Sequence, residues 1–139
     1  MSNNLYIITA PSGAGKTTLI KRVLEYAQEY NKKVSLSISH TTRAPRDGEK
    51  HGIDYFFVSE EEFKENIVKG EYIEHATVHG NYYGTPKSQI DNDLNKDLKI
   101  LLEIDWQGAL QIMDHYPEAE SIFISPPSVD ELRIRLMER

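Results

Sequence analysis

The stretch APSGAGKT, residues 10–17, constrains this chain more than any other feature. Its last five residues fit the phosphate-binding pattern Gly-x-x-x-x-Gly-Lys-[Ser/Thr], with Ala10 where the first glycine usually stands. Such a loop works only between a strand and a helix, because glycines let backbone N–H groups converge on anionic oxygens while the helix N-terminus adds partial positive charge. The flanks supply that context. Leu5 to Thr9 is a short apolar run, and from Thr17 to Tyr30 the residues Leu19, Ile20, Val23, Leu24 and Ala27 recur at helical spacing. Lys16 would reach the outer phosphates of a nucleotide, and the Thr17 hydroxyl would ligate Mg²⁺.

The same alternation returns later in the chain. Val34 to Ile38 reads as a strand, Pro86 to Leu94 as a helix, Lys99 to Ile104 as a strand, Gln107 to His115 as a helix and Ser121 to Ser125 as a strand. This predicts an α/β fold with a parallel sheet flanked by helices. Between these pieces, HTTRAPRDGEKHGIDY is polar and turn-rich and reads as a binding loop. After it come a strand at Tyr55 to Val58 and a helix opening at Ser59, where Ser59 and Glu62 make a capping box. That helix ends near Gly70, and strands follow at Tyr72 to Val78 and Asn81 to Gly84. The β-rich part from about residue 39 to 90 is thus an insertion in the α/β core. The last segment is a helix capped by Ser128 with Glu131 at its third position, and it stops without an end signal, as a chain cut short would.

Composition narrows the function. A formal charge of −6 over 139 residues argues against a general nucleic-acid binder, which owes its affinity to surplus Lys and Arg. The absence of cysteine excludes disulfides and thiolate metal sites and fits a reducing cytosol, so any metal is oxygen-bound. No apolar run approaches the roughly 18 to 20 residues needed to span a bilayer, and the expectation is a soluble, cytoplasmic protein without membrane partners.

Further chemistry is legible at particular positions. Asp105, at the end of a buried-looking strand, suits a water-mediated Mg²⁺ ligand or a helix N-cap, and one residue can do both. Arg43 and Arg46 flank Pro45, and two guanidinium forks on a stiff turn suit the oxygens of a second phosphate. His75 and His79 are four apart on a strand-like pattern, the wrong element for zinc at that spacing. Trp106 and the Tyr55 to Phe57 aromatics read as packing.

The loop APSGAGKT, then SHTTRAPRDGEKHGIDYFFV, GEYIEHATVHGNYYGT and LLEIDWQGA, in this order, resemble the bacterial guanylate kinases across essentially the whole chain. The resemblance implies a P-loop NTPase-type core (residues 1–38 and 91–127), a GMP-binding subdomain (39–90) and the start of a mobile lid (128–139). It implies transfer of the γ-phosphoryl group of ATP to GMP with Mg²⁺, in purine nucleotide metabolism. ATP would be held by Ser12, Gly13, Ala14, Gly15, Lys16, Thr17 and Thr18. The GMP phosphate falls to Arg43, Arg46, Tyr55 and Tyr83, and guanine to Ser39, Glu74 and Thr85 with Glu103 nearby. Family members often carry Asp at position 103, and glutamate is one methylene longer. Lys16, Arg43, Arg135 and Arg139 would neutralise the transferring phosphoryl group. Use of dGMP and assembly into a homo-oligomer are left open.

Guanine chemistry agrees with that assignment. N1–H and N2–H₂ are adjacent donors that one carboxylate can accept, while hydroxyls give to O6. The attacking GMP phosphate, with a second pKa of about 6, needs no general base. Positioning and charge neutralisation remain for the protein to supply. Family members continue past position 139 with more lid and a closing helix-strand-helix, so a chain ending there is expected to bind nucleotides while turning over poorly. Two other readings stand beside this one. A scaffold-type binding module would have no reason to keep a triphosphate loop, and a GTP-hydrolysing switch would need an Asn-Lys-x-Asp stretch that the sequence lacks. A kinase for a different monophosphate is separated by whether Glu74 reads guanine.

Overall fold

The computed structural model describes residues 4–10, 15–125 and 128–137, with the side chains at 131, 132, 135 and 136 excepted. In chain order the elements are β1 (Leu5–Thr9), α1 (Lys16–Glu29), β2 (Val34–Leu36), β3 (His40–Thr41), β4 (Phe56–Phe57), α2 (Glu60–Val68) and β5 (Tyr72–Val78). They continue with β6 (Asn81–Pro86), α3 (Lys87–Asn95), β7 (Lys99–Glu103), α4 (Trp106–His115), β8 (Glu120–Phe123) and α5 (Val129–Met137).

Two four-stranded sheets result. In the first, ordered β2-β7-β1-β8, every pairing is parallel, with Ile7 opposite Leu102 and Ser121. Parallel neighbours need crossover segments long enough for a helix, and α1 and α4 supply them on opposite faces. The alternation of side chains along β1 and β7 explains both cores. Leu5, Ile7, Ile100 and Leu102 pack with Ile73, Ile90, Ala109 and Ile112 on one face, whereas Ile8 and Leu101 meet Ile20 of α1 on the other. Each fully buried aliphatic chain contributes about 1.5–3 kcal/mol.

The second sheet, ordered β4-β3-β6-β5, is mixed. β5 and β6 form an antiparallel hairpin turned by His79 and Gly80, both at positive φ, the pair of conformations a two-residue type I′ turn demands. The sheet is held from one side by α2, whose Phe63 is fully buried and stacks on Tyr72 and Tyr82 at 4.5 and 5.3 Å between ring centroids. Ser59 caps α2 by accepting from Glu62 N at 3.1 Å, and α5 opens one residue after Ser128. β3 corrects the reading of its segment as loop alone. Thr41 there is fully buried, its hydroxyl donating to Tyr82 O at 2.9 Å and accepting from Arg43 N at 3.2 Å. Among the described residues, no helix is long and apolar enough to cross a membrane.

Candidate functional site

The carboxyl ends of the parallel strands and the inner face of the second sheet enclose a cleft of about 600 Å³. Ligands of open α/β sheets collect in this place. Lys16 and Thr17 enter it from the start of α1. Gly15, at φ 93°, holds the left-handed conformation that glycine adopts without steric cost. No side-chain cap and no acidic residue of its own occupy the first turn of α1 among the described residues, so the positive dipole end of the helix is not answered from within the helix. Ser12, Gly13 and Ala14 lie outside the described residues, and Thr18 is exposed and absent from the cleft lining.

On the far wall stands Glu74 of β5, only 7% exposed. Thr85, directly across the hairpin in register, donates its hydroxyl to Glu74 Oε1. Thr85 is itself fully buried and does not line the cleft, so its hydroxyl is spent on orienting the carboxylate. Burial raises the proton affinity of Glu74, with the charge of Asp105 adding to it and the Thr85 hydrogen bond opposing it. Glu74 Oε2 faces α4 at Gly108, where an added Cβ would stand 3.1 Å from that oxygen and 3.2 Å from Asp105 Oδ1. Ser39 lines the cleft beside Glu74.

Tyr55 and Tyr83 line one part of the cleft, and Arg43 packs against Tyr55 without itself lining it. The Arg43 guanidinium carbon lies 5.3 Å from the centre of the Tyr55 ring, and the Tyr55 and Tyr83 rings are 6.0 Å apart. Glu49, which the sequence reading passed over, grips the Arg43 fork through two bonds of 2.9 and 3.1 Å. Arg46 is exposed, and its backbone N–H reaches Glu49 Oε1 at 2.7 Å. The pair pushes Arg43 above its ordinary pKa and holds Glu49 down to about 2, the Arg43 hydrogen bond being the largest cause. Burial raises the Tyr55 hydroxyl pKa.

At the opposite end, Thr17 Oγ1 donates to Glu103 Oε1 at 3.4 Å, which puts Glu103 on the side of the glycine-rich loop, and Asp105 lines the same wall. Asp105 is the N-cap of α4, its Oδ1 accepting from Gly108 N at 2.8 Å. Thr17, Glu103 and Asp105 form an all-oxygen donor set, the hard ligands that Mg²⁺ takes, although among the described residues no three acidic or imidazole groups cluster closely enough to hold a metal by themselves. Arg135 lies on α5 with its side chain outside the description, and Arg139 lies outside the described residues. Glu49, Asp54 and Ser37 line the cleft without having been singled out from sequence. For Glu49 a signal existed: an acid one residue past Gly48 and three past Arg46, as a glycine-dependent turn would place it.

A family model described as guanylate kinase matches residues 2–139. The guanylate kinase of Legionella pneumophila (strain Paris) is 51% identical over 138 residues, covering 99% of this chain and 64% of that protein. The guanylate kinase of Vibrio cholerae serotype O1 is 56% identical over 135 residues, covering 97% of this chain and 64% of that protein. The crystal structure of guanylate kinase from Anaplasma phagocytophilum superimposes with a TM-score of 0.78 at 41% identity, covering 96% of this chain and 65% of that one. This chain therefore spans a little under two thirds of the length of these proteins.

Proposed function

The chain belongs to the guanylate kinase family, and we propose on that basis that it binds ATP and GMP and transfers the γ-phosphoryl group between them, giving ADP and GDP. The observation that carries the proposal is a buried, threonine-held carboxylate, Glu74, sharing one cleft with Lys16 and Thr17 of the glycine-rich loop. A carboxylate with one oxygen held from behind presents acceptors to two adjacent donors. Guanine N1–H and N2–H₂ match them, whereas adenine offers a lone pair at N1 and lacks the 2-amino group.

In this reading Ser39 completes the base site, and Arg43, Tyr55 and Tyr83 take the GMP phosphate, with Arg46 adding its exposed charge. Lys16 and the N–H groups at the start of α1, with Ser12 to Gly15 and Thr18, hold the ATP phosphates. Mg²⁺ would be held by Thr17 and, through water, Asp105, and would supply charge neutralisation at the outer ATP phosphates. Glu103, bonded to Thr17, orders that hydroxyl and sets the edge of the base site. Arg135 and Arg139 would face the transferring group from the lid. The chain's own work is to align the two anions and exclude water, since the nucleophile arrives ionised.

The two-sheet architecture supports division into a core (residues 1–38 and 91–127), a GMP-binding subdomain (39–90) and the start of a lid (128–139), the subdomain swinging over the core when GMP binds. We place the reaction in the cytoplasm. The test is ADP release from ATP and Mg²⁺ with GMP or with AMP, beside calorimetric titration of GMP. Turnover with GMP and none with AMP is the expected result. GMP binding without turnover would make the chain a GMP-binding module, and absence of GMP binding would overturn the proposal.

A further inference from the structure

Arg43 carries five N–H donors, and three of them go to Glu49 and the Ala44 carbonyl. Nη1 gives one to Glu49 Oε1 at 2.9 Å and one to the Ala44 carbonyl at 3.0 Å, and Nη2 gives one to Glu49 Oε2 at 3.1 Å. Nε is buried and has no partner among the described residues. The pair not given to Glu49 or Ala44 is Nε–H and the second Nη2–H, and the hydroxyls of Tyr83 and Tyr55 are the other side-chain groups that interact with this guanidinium. These two N–H groups lie together on the lateral edge of the planar guanidinium, while Glu49 occupies its distal edge. Each edge is a two-pronged donor of the width that carboxylate or phosphoryl oxygens accept.

The loop is built to keep Glu49 there. Arg46 to Glu49 closes as a turn through Glu49 N donating to Arg46 O at 3.0 Å, and Gly48 within it has φ of 86°. A positive φ at the third position of such a turn calls for glycine. The same carboxylate also accepts Arg46 N at 2.7 Å, so the turn and the ion pair fix each other. The guanidinium plane is thereby set against the Tyr55 ring.

We propose that Glu49 is a positioning residue for the GMP phosphate. It holds the distal edge of Arg43 so that the lateral edge, Nε–H with one Nη2–H, is presented to the phosphoryl oxygens between Tyr55 and Tyr83. The proposal rests on the reading of the cleft as a GMP site. Carboxylate and phosphate then share one guanidinium on two edges, and they do not compete for it.

The test is calorimetric titration of GMP and of guanosine into the wild-type chain, Glu49→Gln and Glu49→Asp, with thermal midpoints and, where turnover is measurable, KM for GMP and kcat. Glutamine is isosteric but accepts through one oxygen without charge, so GMP affinity should fall tenfold or more while guanosine affinity stays within twofold. KM for GMP should follow that loss with kcat within about threefold, and Glu49→Asp should recover part of it. Equal losses for guanosine and GMP would reveal a structural role alone, and unchanged or tighter GMP binding would show that Glu49 is idle or a competitor. Either result overturns the proposal. A wild-type chain that binds no GMP overturns the functional reading itself and this proposal with it.

Discussion

Replacing Glu74 by glutamine should move stability and binding in opposite directions. In the free protein this carboxyl is 7% exposed and its pKa is raised, chiefly by burial. A carboxyl that binds its proton more readily when folded loses stability as pH rises from the ordinary carboxylate value through the raised one, because above that window the buried charge must be carried. Glutamine keeps an acceptor for Thr85 and carries no charge. The ligand-free variant should therefore melt at or above the wild-type midpoint at pH 7, and it should lack the wild type's gain in stability on acidification through the window.

Binding should pay the opposite way. The glutamine oxygen is already engaged by Thr85, and its NH₂ would face a guanine donor. Losing one charge-assisted bond and stranding one buried donor costs about 3–4 kcal/mol. That is a factor of about 10² to 10³ in affinity. With GMP at 100 times the wild-type Kd, ligand stabilises the wild type by about 2.7 kcal/mol, and the variant by about 0.4 or less. Thermal melts at pH 7 with and without GMP measure both effects. A ligand-free variant melting several degrees below wild type, or one that keeps the full GMP-induced rise, would refute the reasoning.

Lys16→Ala should lower turnover by about 10²-fold or more, as loss of a preorganised charge at a reacting group does, and leave calorimetric GMP affinity within twofold. Phe63→Ala, which empties the fully buried slot between Tyr72 and Tyr82, should cost about 3–5 kcal/mol in urea unfolding, and a loss below 1 kcal/mol would show that the aromatic stack does not hold the second sheet. His40, bonded to Tyr72 at 2.8 Å, has its pKa lowered mainly by burial, with Glu62 and Glu71 opposing and His51 assisting. Its contribution is present above the unfolded value of about 6.5 and erodes as pH falls below it, so His40→Gln should show a smaller drop in midpoint than wild type between pH 7.5 and 5.5.

The α/β alternation was legible because β1, β7 and the helices carry apolar residues at the periods their packing requires, and β1 and β5 fall on their expected bounds. β3 was not legible. Thr41 is a polar residue in a polar run, and its burial goes with a hydroxyl bond to Tyr82 O, forty-one residues on, that only the fold brings close. The cleft gathers Lys16, Thr17, Ser39, Tyr55, Glu74, Tyr83, Glu103 and Asp105 from across most of the chain. Their residue types raised the expectation of phosphate and guanine chemistry, but which of them pair with one another did not show in the sequence. Thr85 serves Glu74 from behind, and Glu103 meets Thr17, because cross-strand register and strand order decide those pairings.

The hydrogen atom at Gly108 links two places that mutation would otherwise explore separately. Inside a helix alanine is favoured over glycine by about 1 kcal/mol, so a search for a sturdier protein has a standing incentive to place a methyl there. That methyl would press on Glu74 Oε2 and Asp105 Oδ1 together, and both must yield a few tenths of an ångström. Gain for the helix thus becomes a displacement of the buried Glu74 carboxylate, and the two sites are expected to be epistatic. Shortening Glu74 first would relieve only one of the two contacts, because Asp105 Oδ1 would still stand 3.2 Å from the added Cβ, so the three positions constrain one another.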